Sequence, residues 1–349
     1  MDIVNEYKVN WAVLALTRFF LASIVMMEHL KKFCDVGNWG LYTYFGAFEA
    51  ILGFLLISGF SIGTSLEKDN GKDFLIRRGK RIYPVFLASI IFQALIVPNF
   101  WETSELFKFA INLFFLNQIF SGESFLGVSW TLSTEVWLYC LAPLLRKVRL
   151  NILFFLIGFS FMSYCLYTCG RTLFHWNYYS GTSFGINLIL LSFIWISGFA
   201  LALFPERRKI ILLIIGGILI GHISITILIQ SLYRFKHHEI ELLWQIDTLD
   251  FVGKALCVIL IYGVIAYNHK FPEISNTAKK LFKLLGDISY PLYLTHCTFF
   301  FIMAQNKVSN LYVMILGQLL LSLLIYYLFD FYSKRRDSQR QEALVVEKK

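Results

Sequence analysis

The chain has 349 residues, of which 57% are hydrophobic, 17% aromatic and only 16% charged, a composition far from that of a soluble domain. Apolar runs of about 17 to 25 residues recur along its whole length, which excludes a soluble domain of useful size and points to a polytopic membrane protein. The formal charge of +9 sits in short clusters at the ends of those runs rather than along one face, so it reads as a topology signal and not as a nucleic-acid surface.

Ten spans are predicted, over 11–30, 44–64, 82–99, 130–145, 150–169, 185–204, 210–231, 249–267, 284–304 and 311–333. An all-α bundle is expected, because a helix satisfies its own backbone hydrogen bonds in lipid and the alternating pattern of a barrel strand is absent. The first run has no basic leader or small-residue cleavage site, so it is expected to stay as a helix. One further stretch, FKFAINLFFLNQIF (107–120), is short for a span. The basic clusters lie at 68–81, 146–149, 207–209, 270–283 and from Lys334 onward. If all face the cytoplasm, an even number of spans lies between Arg81 and Arg146. The 107–120 stretch is therefore predicted to re-enter from the outside, with both termini inside. The whole chain, 1–349, is read as one integral-membrane domain ending in a cytoplasmic basic tail, 333–349.

The first span carries the chemistry that most needs explaining. TRFFLASIVMMEH (17–29) holds Arg18 and His29 in a segment otherwise suited to lipid. Their spacing corresponds to about three helical turns and about 16 Å of rise, so both project from one face, the arginine deep and the histidine near the outer end. Ionisable groups in a span mark pathways or sites; snorkelling of Arg18 and simple helix termination at His29 are the structural alternatives. Glu28, Glu49 and Glu135 fall at a similar depth to His29, and a carboxylate beside an imidazole suits a general base. Arg78 and Arg81, three residues apart, face one way, and guanidinium forks grip phosphate oxygens. Their alternative is an anchor of positive charge at the inner surface, the role given to Arg77 and Lys80.

The Arg-x10-His spacing resembles the hallmark of the membrane-bound acyltransferase-3 family, the O-acetyltransferases that decorate bacterial surface glycans. Four more stretches are similar in the same order: ILGFLLISGFSIG (51–63), FLIRRGKRIYP (74–84), SWTLSTEVWLYCLAP (129–143) and LGDISYPLYLTH (285–296). The sequence departs from the family pattern at Leu52, at Leu55 in a usual double phenylalanine, and at Thr131 after Trp130. The resemblance implies a membrane O-acyltransferase of the bacterial inner membrane, moving acetyl from acetyl-CoA to a hydroxyl of a surface polysaccharide or lipid-linked precursor such as lipopolysaccharide O-antigen. It implies His29 as base oriented by a carboxylate such as Glu135, or as carrier of the acetyl group in a covalent relay, with Arg18 in contact with the donor or the developing charge and Arg78 and Arg81 on the donor phosphates. Glu49, Trp130 and His296 are secondary candidates for substrate contact, with hydrogen bonding between packed helices the equal alternative for His296. Another acyl group, a small-molecule acceptor, or a secondary transporter are the rival readings.

The six cysteines lack metal-ligand or disulfide spacing, and no metal is expected. His175, His222, His237, His238 and His269 receive no role. Trp101, Trp176 and Trp244 are expected at the outer interface.

Overall fold

The computed structural model describes residues 9–66 and 71–331. The predicted basic tail and residues 68–70 of the first basic cluster lie outside the described residues. Every regular element among those described is helical. In chain order they are α1 (Trp11–Leu30), α2 (Ala47–Leu66), α3 (Gly71–Ala94), α4 (Thr103–Leu113), α5 (Asn117–Phe120), α6 (Ser129–Leu145), α7 (Leu150–Phe174), α8 (Ile186–Leu203), α9 (Arg208–Lys236), α10 (Thr248–Tyr267), α11 (Asn276–Gln305) and α12 (Leu311–Ile325). Polar caps set several starts: the Asn10, Ser275 and Asn310 side chains accept from the backbone amides of Val13, Ala278 and Val313.

Each of the ten predicted spans falls on a helix, yet among the described residues only seven segments are long and apolar enough to cross a membrane. Helices α3, α6 and α11 fall short. They hold Arg78 and Arg81, Glu135, and Asp287 and His296, and each contains an internal proline, Pro84, Pro143 and Pro291 respectively. Some of the polar groups that lower their apolarity, Arg78, Arg81, Glu135 and Asp287, line the interior site described below.

The centre is built on α2 and α8, which are the most buried of the seven segments. Their backbones touch: a Cβ at Gly59 would lie 2.0 Å from the Trp195 carbonyl oxygen, and one at Gly198 would lie 2.1 Å from that of Leu56. Small residues at such crossings let helices approach closely in lipid, where packing replaces the hydrophobic drive. Around this pair, α1 and α11 run parallel and side by side. Ala15 meets Gly286 near one end of the contact and His29 meets His296 near the other.

The 107–120 stretch is not a continuous helix. It divides into α4, eleven residues and about 16 Å long, and the four-residue α5, with Phe115 between them in the left-handed region at φ 58°. Neither piece can cross a bilayer. The break is tied to α6: Trp137 Nε1 donates to the Phe115 carbonyl at 3.0 Å, Ser129 Oγ donates to Asn112 Oδ1 at 3.1 Å, and Ser133 Oγ donates to Asn117 Oδ1. Those bonds satisfy polar groups within the bundle, as irregular backbone at membrane depth requires.

Candidate active site

Six elements, α2 with Ser58 among them, line one cavity of about 990 Å³, open solvent at its mouth included. Helix α1 contributes Arg18, α3 contributes Arg78 and Arg81, α6 contributes Glu135 and Tyr139, and α11 contributes Asp287, Tyr290 and Tyr293; Asp330 closes the wall beyond α12. The cavity thus brings together four residues singled out from sequence, Arg18, Arg78, Arg81 and Glu135. Three guanidinium groups face three carboxylates, which keeps a large charge density tolerable in a low-dielectric interior.

The cations are not used alike. Arg18 Nη2 donates to Ser61 Oγ at 2.9 Å, and that hydroxyl in turn donates to the Ile57 carbonyl. Arg78 lies with its guanidinium carbon 5.8 Å from the Phe74 ring centre. Neither Arg78 nor Arg81 has a hydrogen-bond or ion-pair partner among the described residues, so both forks are free to take an anion. Arg81 is the more exposed of the two and stands toward the mouth. On the opposite wall, the Tyr139 hydroxyl donates to the Glu135 carboxylate and accepts from Ser58 Oγ at 3.0 Å.

Glu135 is thereby committed to the cavity, and the expected orientation of His29 by Glu135 is not formed. The ring partner of His29 is His296, with Nδ1 of the first 2.7 Å from Nε2 of the second. His296 is fully buried, and its Nδ1 lies 3.0 Å from the Leu292 carbonyl oxygen. Cys297 Sγ is 3.4 Å from His29 Nδ1. The Tyr293 ring, which lines the cavity, lies edge-on to His296 with ring centres 6.2 Å apart. Along α11, Tyr293 and His296 are three residues apart and so neighbours on the helix surface, which places the histidine pair next to the cavity wall.

The other secondary candidates lie elsewhere. Glu49 Oε1 is 3.0 Å from His222 Nε2, and His222 Nδ1 is 2.8 Å from the Tyr164 hydroxyl. All three are buried, in a chain crossing α2, α9 and α7. The expected contact of Glu49 with substrate near His29 is replaced by this internal pairing. Glu28 is paired with Lys31 at 2.6 Å. Trp130 is buried, its ring parallel within 14° to that of Tyr179, and it does not line the cavity.

Among the described residues, the only group of three or more side chains close enough to hold a metal ion is His29, His296 and Cys297, whose ligand atoms lie within 4.8 Å of one another. The sequence could not bring these together, because α1 and α11 are far apart in the chain. Tyr139 was within reach, four residues after Glu135 on the same helix face. So was His222, in the middle of an apolar run where a histidine requires a partner.

The helical bundle and its polar interior define a multi-pass membrane protein with a built site. The family model for an acyltransferase domain, acyltransferase-3, matches residues 11–333. The chain belongs to that family and is a membrane acyltransferase. It is also similar to a protein of Acidianus two-tailed virus named "Putative acetyltransferase ORF330", 24% identical over 253 residues, which span 70% of this chain and 68% of the viral one. No solved structure matches.

Proposed function

We propose that this protein is an O-acetyltransferase of the bacterial inner membrane that moves acetyl from acetyl-CoA to a hydroxyl of a cell-surface polysaccharide or its lipid-linked precursor, such as lipopolysaccharide O-antigen. The observation that carries this reading is the pair of guanidinium groups without a partner among the described residues, Arg78 and Arg81, in a cavity whose Tyr293 borders His296, the ring partner of His29. With the termini cytoplasmic, the donor enters at Arg81, its phosphates held by the two forks, and its thioester points past Tyr293.

In the transfer, His29 Nε2 takes the proton of the acceptor hydroxyl as the oxygen attacks the thioester carbonyl. The carbon–sulfur bond breaks, the oxygen keeps the acetyl group, and the coenzyme A thiolate receives the proton from His29. Arg18 supplies positive charge on the donor side, where the water-poor interior strengthens it. The name of the viral relative supports acetyl as the group transferred, and the acyltransferase-3 resemblance supports a glycan acceptor.

The test is acetyl transfer by purified protein in lipid nanodiscs, read as release of coenzyme A and labelling of a host glycan fraction. Wild type is expected to release coenzyme A in step with glycan acetylation, and His29→Ala to do neither while inserting normally. Solute flux across vesicles without coenzyme A release would replace this reading with that of a carrier.

A further inference from the structure

We propose that His296 is the positioning residue of the site: it holds His29 as the Nδ1–H tautomer and so leaves Nε2 of His29 as the basic nitrogen. The inference rests on the reading of His29 as the proton acceptor and assigns to a histidine the orienting role that sequence gave to Glu135.

The assignment follows from one acceptor that has no choice. The Leu292 carbonyl oxygen can only accept, so His296 Nδ1, 3.0 Å away, carries a proton. No carboxylate touches either imidazole among the described residues, and Glu28 is engaged with Lys31. A buried imidazolium at His296 would therefore lack a counter-charge. The neutral ring protonated at Nδ1 has its lone pair on Nε2, which faces His29 Nδ1 at 2.7 Å. Two lone pairs at that distance repel, so His29 Nδ1 is the donor, and in the neutral ring its Nε2 is bare.

The ring geometry agrees. The two imidazoles are parallel within 13°, with centres 5.0 Å apart. That separation is close to the nitrogen–nitrogen gap plus the two ring radii, so the rings lie edge to edge with the shared hydrogen near the line of centres. An in-plane bond of this kind is strong and directional. It also separates the pair from a metal centre: an ion held by His29, His296 and Cys297 needs lone pairs converging on one point, whereas here the two ring nitrogens point at each other. Cys297 Sγ lies beside the protonated nitrogen of His29, so that nitrogen cannot take the thiol proton, and Cys297 is not an activated nucleophile.

The experiment compares His296→Leu, which removes the acceptor, with His296→Gln, whose side-chain oxygen can reach the position of Nε2, in the full-length protein in nanodiscs. His296→Leu is expected to lower kcat on the order of 10²-fold, as loss of an aligned general base does, with KM for acetyl-CoA changed less than about twofold. His296→Gln is expected to recover most of the loss. Nitrogen-15 NMR of histidine-labelled wild type is expected to show His29 protonated at Nδ1 and bare at Nε2. Unchanged kcat in His296→Leu, a His29 protonated at Nε2, or stoichiometric zinc in wild type that is lost in His296→Gln would each overturn the proposal. If wild type transfers no acetyl group, the O-acetyltransferase reading fails, while the tautomer is still decided by the NMR result. The NMR measurement on wild type likewise stands if His296→Leu does not fold.

Discussion

Arg78→Ala tests the cavity most directly, because it changes binding and folding in opposite directions. Arg78 has no hydrogen-bond or ion-pair partner to lose among the described residues, only the Phe74 ring at 5.8 Å, and it lies within electrostatic reach of two like charges, Arg81 and Arg18, which outnumber the one carboxylate in reach, Glu135. Removing it relieves repulsion in the empty protein, so thermal stability is expected to hold or rise. A hydrogen bond from a guanidinium to a phosphate contributes about 1.5 to 3 kcal/mol, and a tenfold change in Kd is about 1.4 kcal/mol. The acetyl-CoA Kd, measured by calorimetry in nanodiscs, is then expected to rise about 10- to 150-fold. The double variant with Arg81→Ala should lose less than the sum of the two, since neighbouring forks share one anion. Lys80→Ala, an exposed residue outside the cavity lining, is the matched control and should leave Kd unchanged. An unaltered Kd in Arg78→Ala would refute the phosphate role and return Arg78 to the part of a membrane anchor.

Three further outcomes follow from other parts of the molecule. Glu49→Ala strips a partner from buried His222 and is expected to cost about 1 to 3 kcal/mol of stability, seen as a lower unfolding midpoint, with no change in acetyl-CoA Kd; a changed Kd with intact stability would put Glu49 in the site. Gly59→Ala places a methyl 2.0 Å from the Trp195 carbonyl oxygen and should destabilise the fold by about 1 to 3 kcal/mol, the usual cost of overpacking, whereas an unshifted midpoint would mean that α2 and α8 separate easily. Glu123→Cys, in the connector after α5, should react with an impermeant maleimide only from the outer face; labelling from the cytoplasmic face alone would reverse the placement of α4 and α5.

The helices were legible from the sequence because lipid demands length and apolarity, two properties that a linear reading captures. Charge parity rejected a full span at 107–120, and the break at Phe115 supplies the local reason. Less apolar helices were a different matter: part of what weakens α3, α6 and α11 as spans is the polar lining they give the cavity. The arginines were legible because spacing of three residues on one helix fixes a shared face. Their gathering with Glu135 and Asp287 in one cavity depends on the crossing of four helices, which spacing does not encode. The partner of His29 was misassigned for the same reason. Depth along the membrane normal placed Glu135, Glu49 and His29 at one level, but depth leaves the angular position around the bundle undetermined. Glu135 turns to Tyr139, Glu49 to His222, and the imidazole on the facing helix is left for His29.

The parallel contact of α1 and α11 has a mechanical consequence. A Cβ at Gly286 would lie 2.5 Å from that of Ala15, so only a glycine lets the two rods approach so closely there, beside Arg18 and Asp287. From Ala15 to His29 the arm is about 21 Å at about 1.5 Å per residue, and a tilt of about 5° at the pivot moves its far end by about 2 Å. That displacement is enough to part the 2.7 Å histidine pair. Misplacement of about 1 Å in a reacting group can cost about 10²-fold in rate. The cavity and the histidine pair thus share a lever: a tilt of the bundle at the arginine end turns His29 at the other, as an angle rather than as a chain of contacts.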